Sequence, residues 1–175
     1  MGKSGRMSGW MKRGGLVLVA ATLVIAGCQS LRTTYKGAKV REPYRIGLEE
    51  GASRSARYQS ADLIVEYEAL RTGSELRISG VAQYSPKIQN AYTFIPYFHL
   101  SLFLTDQYGN VLEDRGIRTP GSDDPGTRMR FSETIVLPPG TAGMAFSYSG
   151  QARMSGSRQD GGGGITTFWE IPIVR

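Results

Sequence analysis

A single cysteine in 175 residues excludes an internal disulfide and a thiolate metal site, so packing must carry the stability. The formal charge of +6 is misleading: four of the 21 Lys and Arg precede Cys28 and none of the 15 acids do, leaving seventeen bases against fifteen acids, a net +2, from Cys28 onward. A chain so balanced, with no basic cluster carrying interleaved aromatics, is not expected to bind nucleic acid, and its length after Cys28 suits one domain with a real core.

Lys3, Arg6, Lys12 and Arg13 make a positive head, followed by an apolar run from Leu16 to Ala26 interrupted only by Thr22. As a helix those 11 residues would be about 16 Å long, roughly half the ~30 Å hydrocarbon core of a bilayer. That is too short to span and suits a signal-peptide core. Ile25-Ala26-Gly27-Cys28 follows and resembles the lipobox of bacterial lipoproteins. The resemblance implies that residues 1–27 are a signal peptide, cut before Cys28. It also implies a diacylglyceryl group on the Cys28 thiol and a further acyl chain, such as palmitate, on the freed amine. Two or three acyl chains hold a protein firmly at a membrane, because each buried methylene adds ~0.8 kcal/mol. Gln29 after the cysteine, by similarity to enterobacterial sorting, points to the periplasmic face of the outer membrane.

Residues 28–61 read as the lipidated cysteine and a flexible tether. Serines, glycines and charges are scattered there without a sustained period, although Arg41 to Leu48 has the character of a short extended segment docked on the domain. A free chain of that length would span about 30 Å. Arg32, Lys36, Lys39 and Arg41 fit either plain solvation or contact with anionic lipid.

From Asp62 the period changes to two, which predicts half-buried strands. Leu63, Val65 and Tyr67 share one face; Thr72-Gly73-Ser74 is a turn; Leu76, Ile78, Gly80 and Ala82 share the next face, completing a hairpin. After a connection over 85–96 comes the strongest strand, with Phe98, Leu100, Leu102 and Leu104 on one face and His99, Ser101, Phe103 and Thr105 on the other. Asp106 to Asn110 is a turn in which Gly109 supplies positive φ. Shorter strands follow at 111–117, 128–137, 144–149 and 166–174, the last with Trp169, Ile171 and Ile173 on one face. Glu133 breaks the apolar phase of Phe131, Ile135 and Leu137, which predicts a bulge or an edge position. Seven short strands with turns between them, and no helical period after residue 28, predict an all-β antiparallel sandwich over residues 62–175.

The stretch from Phe98 to Asp106, then Gly109-Asn110-Val111-Leu112, then Leu137-Pro138-Pro139-Gly140 before Phe146, resembles the immunoglobulin-like domains of bacterial secreted proteins and lipoproteins, of the FxLYD type. Thr105 stands where that motif has tyrosine. The resemblance implies an immunoglobulin-like fold and transfers no site residue.

Catalytic signatures are lacking, so a non-enzyme without cofactor or metal is expected. His99, the only histidine, lies opposite the leucine face, and no serine has the glycines of a nucleophile elbow. Asp123, Asp124 and Asp160 have no EF-hand spacing, and Gly161 to Gly164 lacks the Lys and helix of a phosphate loop. Tyr92, Phe94, Tyr97, Tyr108 and Trp169 either fill the core or form a contact surface for protein or sugar. In a seven-strand sandwich the long connections 85–96, 119–127 and 153–164 project from one end. That end offers Tyr92, Phe94, Asp123, Asp124, Arg153 and Arg158 for binding. The expectation is a lipid-anchored envelope protein, attached through Cys28 and acting as a structural or adaptor protein through contacts with another envelope protein. The alternative is a carbohydrate- or peptidoglycan-binding module.

Overall fold

The computed structural model describes residues 35–119, 123–154 and 164–174. Among the described residues the chain forms nine strands: β1 (Ile46–Gly47), β2 (Ser53–Gln59), β3 (Leu63–Thr72), β4 (Glu75–Tyr84), β5 (Phe94–Thr105), β6 (Val111–Arg118), β7 (Arg128–Val136), β8 (Gly143–Arg153) and β9 (Ile165–Glu170). A six-residue helix, α1 (Pro86–Ala91), lies between β4 and β5, and a single 3₁₀ turn covers Glu42–Tyr44.

The hairpin expected after Asp62 is β3–β4, paired from Leu63↔Tyr84 to Thr72↔Glu75 with Gly73-Ser74 as the turn. Gly73 has φ +58°, a conformation glycine adopts without steric cost. One antiparallel sheet runs β2-β3-β4-β7; the other runs β1-β8-β5-β6, with β9 also on β8. They pack face to face on the predicted phases. Leu63, Val65, Tyr67, Leu76, Ile78 and Phe131 from one sheet meet Phe98, Leu100, Leu102, Leu104, Phe146 and Tyr148 from the other, all buried in one cluster. Glu133 is in phase with this core but stands on the edge strand β7, where it stays exposed; the β4–β7 register is unbroken, so the edge reading holds and the bulge does not.

Phe103 lies on the opposite side of β5 from the leucines, yet is fully buried. The chain before β1 explains this. Residues 35–44 cross the outer face of the second sheet, with Val40 N–H on Gly109 O at 2.8 Å and Val111 N–H on Ala38 O at 2.8 Å. The C-terminal residues join them through a bridge between Val40 and Ile173. Val40, Phe103, Val111 and Ala145 form a second small core, flanked by Tyr35, Ala38, Tyr44, Ile171 and Ile173. Gly109, at φ +85°, is needed here twice: it turns the β5–β6 hairpin, and a Cβ on it would meet the Arg45 guanidinium.

Three expectations are corrected. The tether reading of residues 28–61 fails wherever the chain is described, from residue 35. The compact unit spans Thr34–Arg175, β1 docks on β8, and β2 pairs with β3 from Ser53↔Leu70 to Gln59↔Ile64. β2 was illegible because an edge strand is held by backbone hydrogen bonds, and of its seven side chains only Ala56 and Tyr58 are even half-buried. The connection over 85–96 holds a helix, seated by Ile88 in the core and by Pro86 at its first turn. Its last residues already belong to β5, which starts at Phe94 and carries a register irregularity before Tyr97.

Candidate functional site

The described parts of the long connections meet at one end. Phe94 is the register partner of Arg153, and Thr93 N–H bonds Arg153 O at 3.0 Å, which joins the β4–β5 connection to the start of the β8–β9 connection. Ile95 and Asp123 exchange two backbone hydrogen bonds of 2.9 Å, which adds the β6–β7 connection.

Below these loops a polar clamp fixes α1. Asp62, almost buried at the head of β3, accepts a hydrogen bond from Lys87 Nζ at 2.9 Å, and its other oxygen lies 3.4 Å from the Tyr148 hydroxyl. That hydroxyl is 2.8 Å from Ser60 Oγ. Burial pushes the Tyr148 phenol up, so it remains a proton donor, and the hydrogen bond to Asp62 holds Lys87 charged above its ordinary range. The clamp ties the β2–β3 corner, α1 and β8 together and fixes where β5 begins.

What lies exposed beside this end is the upper outer face of the second sheet. Alternation sends Ala152, Phe98 and Phe168 inward and their neighbours outward. The register stacks the outward residues in rows across β5, β8 and β9: Phe94, Arg153, Ile165; then Tyr97, Gln151, Thr167; then His99, Ser149, Trp169. Tyr97 is 42% exposed and Trp169 54%, and Phe94, Met154 and Ile165 are exposed as well. Tyr97 and Trp169 are two strands and one row apart, about 12 Å between backbone positions. His99 closes one border, its Nδ1 2.6 Å from Thr119 Oγ1 and its ring over Gly116, where a Cβ would touch Cε1 at 2.9 Å. The rows hold no carboxylate. The nearest on this sheet are Glu170, ion-paired to Arg41 at 2.7 Å, and Asp114, opposite Phe103. Aromatic, Met and Arg side chains are the types enriched in contact surfaces.

The residues expected to bind divide accordingly. Phe94 and Arg153 belong to the bare face. Tyr92 packs half-buried against the core. Asp124 is a turn former, its Oδ1 accepting Gly126 N–H at 2.7 Å and its carbonyl accepting Thr127 N–H at 2.9 Å. Asp123 bridges β5, and its Oδ2 is buried without a hydrogen-bond partner among the described residues, as is the hydroxyl of Tyr84, whose phenol is pushed up by burial and by the Asp123 charge. Cys28 and Arg158 lie outside the described residues. Tyr97 and Trp169 were legible as surface aromatics only in alternative to core filling, and Gln151, Thr167 and Ile165 carried no signal at all. No protein-family model matches this chain, and no curated protein matches it in sequence.

Proposed function

We propose that this protein is a lipoprotein of the bacterial envelope, anchored through Cys28 on the periplasmic face of the outer membrane. On this reading it is a non-catalytic structural or adaptor module that meets another envelope protein. The observation that carries the contact reading is the bare face of β5, β8 and β9, where Tyr97, Trp169, Ile165 and Met154 stand exposed next to Arg153. The positive head, short apolar run and Ile25-Ala26-Gly27-Cys28 support the anchor. We also read the sandwich as immunoglobulin-like. Strands β3 to β9 number seven, arranged as β3-β4-β7 against β6-β5-β8-β9. Connections β4–β5, β6–β7 and β7–β8 pass between sheets, and the intervening pairs are hairpins, in the manner of Greek-key sandwiches. On that frame β1, β2 and the strap over 35–44 are N-terminal additions.

A photo-crosslinking residue at Thr167, in the middle of the face, tests the contact in cells. A discrete protein adduct from position 167, and none from Ser79 on the outer face of the other sheet, is the expected result. A second reading, binding of glycan or peptidoglycan, is favoured by the uncharged Gln151, Ser149 and Thr167 between exposed rings. It predicts instead retention on purified sacculi, lost in Trp169→Ala, with no protein adduct. The anchor is tested by fatty-acid analogue labelling, which Cys28→Ala must abolish.

A further inference from the structure

A second opening lies where the chain passes from one sheet to the other. β1 belongs to the sheet of β8 and β2 to the sheet of β3, so residues 48–52 cross between the layers and leave a cleft of about 410 Å³. Close-packed interiors hold few voids larger than a water molecule, and ligand sites usually measure roughly 300–1,000 Å³. The apolar lining comes from Ile46, Leu48, Ala69 and Met144.

The crossing is held rigidly. Leu48 N–H bonds Ala142 O at 3.0 Å and Gly51 N–H bonds Arg71 O at 2.9 Å, with Gly51 at φ +72°. Arg71 is fully engaged in this work: Nη1 donates to Thr141 O at 2.9 Å, and Nε lies 3.4 Å from Glu50 Oε2. Glu50 in turn accepts Gly73 N–H at 2.6 Å. The cleft is therefore preformed and its back wall electrically neutral.

Besides Glu49, two polar groups line the cleft and are uncommitted among the described residues. Tyr67 is almost buried, its ring edge-on to Phe146 at 5.0 Å, and its hydroxyl has no hydrogen-bond partner among the described residues. Arg54, the second residue of β2, is in phase with the inner face, opposite Ala69, and has no carboxylate partner among the described residues. Burial pushes the Tyr67 phenol up and the Arg54 charge pulls it partly back, so the two groups are electrostatic neighbours. Glu49 also lines the cleft, on its exposed side, and disfavours a second negative charge on anything bound there.

We propose that this cleft binds a small monocarboxylic acid with an apolar body, the carboxylate taken by Arg54 and the Tyr67 hydroxyl, the body laid on Ile46, Leu48, Ala69 and Met144.

The test uses the full chain in lipid nanodiscs and three probes with one body: 4-phenylbutyrate, 4-phenylbutanol and 4-phenylbutylamine. Saturation-transfer NMR and titration should rank the acid first, the alcohol about tenfold weaker, and the amine last. Arg54→Gln should weaken the acid about tenfold and leave the alcohol unchanged; Tyr67→Phe should weaken the acid about threefold. Arg54 is exposed, so its variant keeps the fold, which circular dichroism checks. Ala52→Trp, placed at the exposed mouth, should block all three probes without entering the core. Equal binding of acid and alcohol, acid binding undiminished by Arg54→Gln, or full binding in Ala52→Trp would each overturn the proposal.

Discussion

The outer face of the second sheet is one surface with two fates. Toward the β5–β6 turn it carries Phe103 and Ala145, both fully buried under residues 35–44 and the C-terminal Ile171 and Ile173. Toward the loop end the same strands carry Tyr97, Trp169 and Ile165, which are exposed. Strand phase sends all of these side chains the same way. The strap and the C-terminal residues together make half of the face a core, and among the described residues the other half stays exposed. A large apolar side chain on a strand thus reports that something covers it, and the identity of the cover has to be sought elsewhere in the chain or outside it.

The largest effect is expected where the covered half loses its main ring, at Phe103. Phe103→Ala should cost about 3–5 kcal/mol in urea unfolding, as for a ring deleted from a closed core. A cost below about 1 kcal/mol would mean that the strap does not seal this face. Next in size is the strap itself. Val40→Ala should cost about 1–3 kcal/mol, and hydrogen exchange at the Val111 amide should accelerate, because its acceptor is Ala38 O.

A smaller effect is expected at the β5–β6 turn beneath the strap. Asp106 accepts hydrogen bonds from the Asn110 side chain and from the Tyr108 and Asn110 amides, which hold its pKa below the ordinary 3.8. A depressed carboxylate stabilises the fold above its unfolded pKa and loses that contribution as pH falls through the folded value. The unfolding midpoints of wild type and Asp106→Ala should therefore differ at neutral pH and converge as pH falls through the folded pKa of Asp106.

The smallest stability change belongs to the bare half. Trp169→Ala with Tyr97→Ala should move unfolding by no more than about 0.5 kcal/mol, while cutting the protein adduct from position 167 about tenfold or more. A double variant that unfolds would make these rings structural; one that captures normally would move the contact away from this face.

Residues whose environment is settled by near neighbours were readable. The β3–β4 hairpin, its Gly73 turn, the leucine face of β5 and the Gly109 turn follow from alternation and turn chemistry over a few residues. That the described parts of the long connections meet at one end follows from the number of strands between them, since each strand reverses direction. The turn formed by Asp124 was not legible, because an exposed aspartate in a loop looks the same whether it binds a partner or closes its own turn. The cleft left no trace in sequence, because Tyr67, Ala69 and Met144 look like ordinary core positions until the crossing of 48–52 is seen to leave space beside them.

Alternation and turn chemistry along the chain dictate two antiparallel layers, because side chains on a strand must point to one face or the other and the apolar ones cannot all stay in water. The sequence also carries the charged head, apolar run and cysteine on which the anchor proposal rests. Long-range packing makes residues 35–61 part of the fold, Phe103 core and Trp169 surface, and opens a cleft between β1 and β2. Those outcomes depend on backbone pairing at sheet edges and on which distant segment lies over which face. Such contacts join residues far apart in the chain, and the side chains of an edge strand or a strap have little burial of their own to announce them.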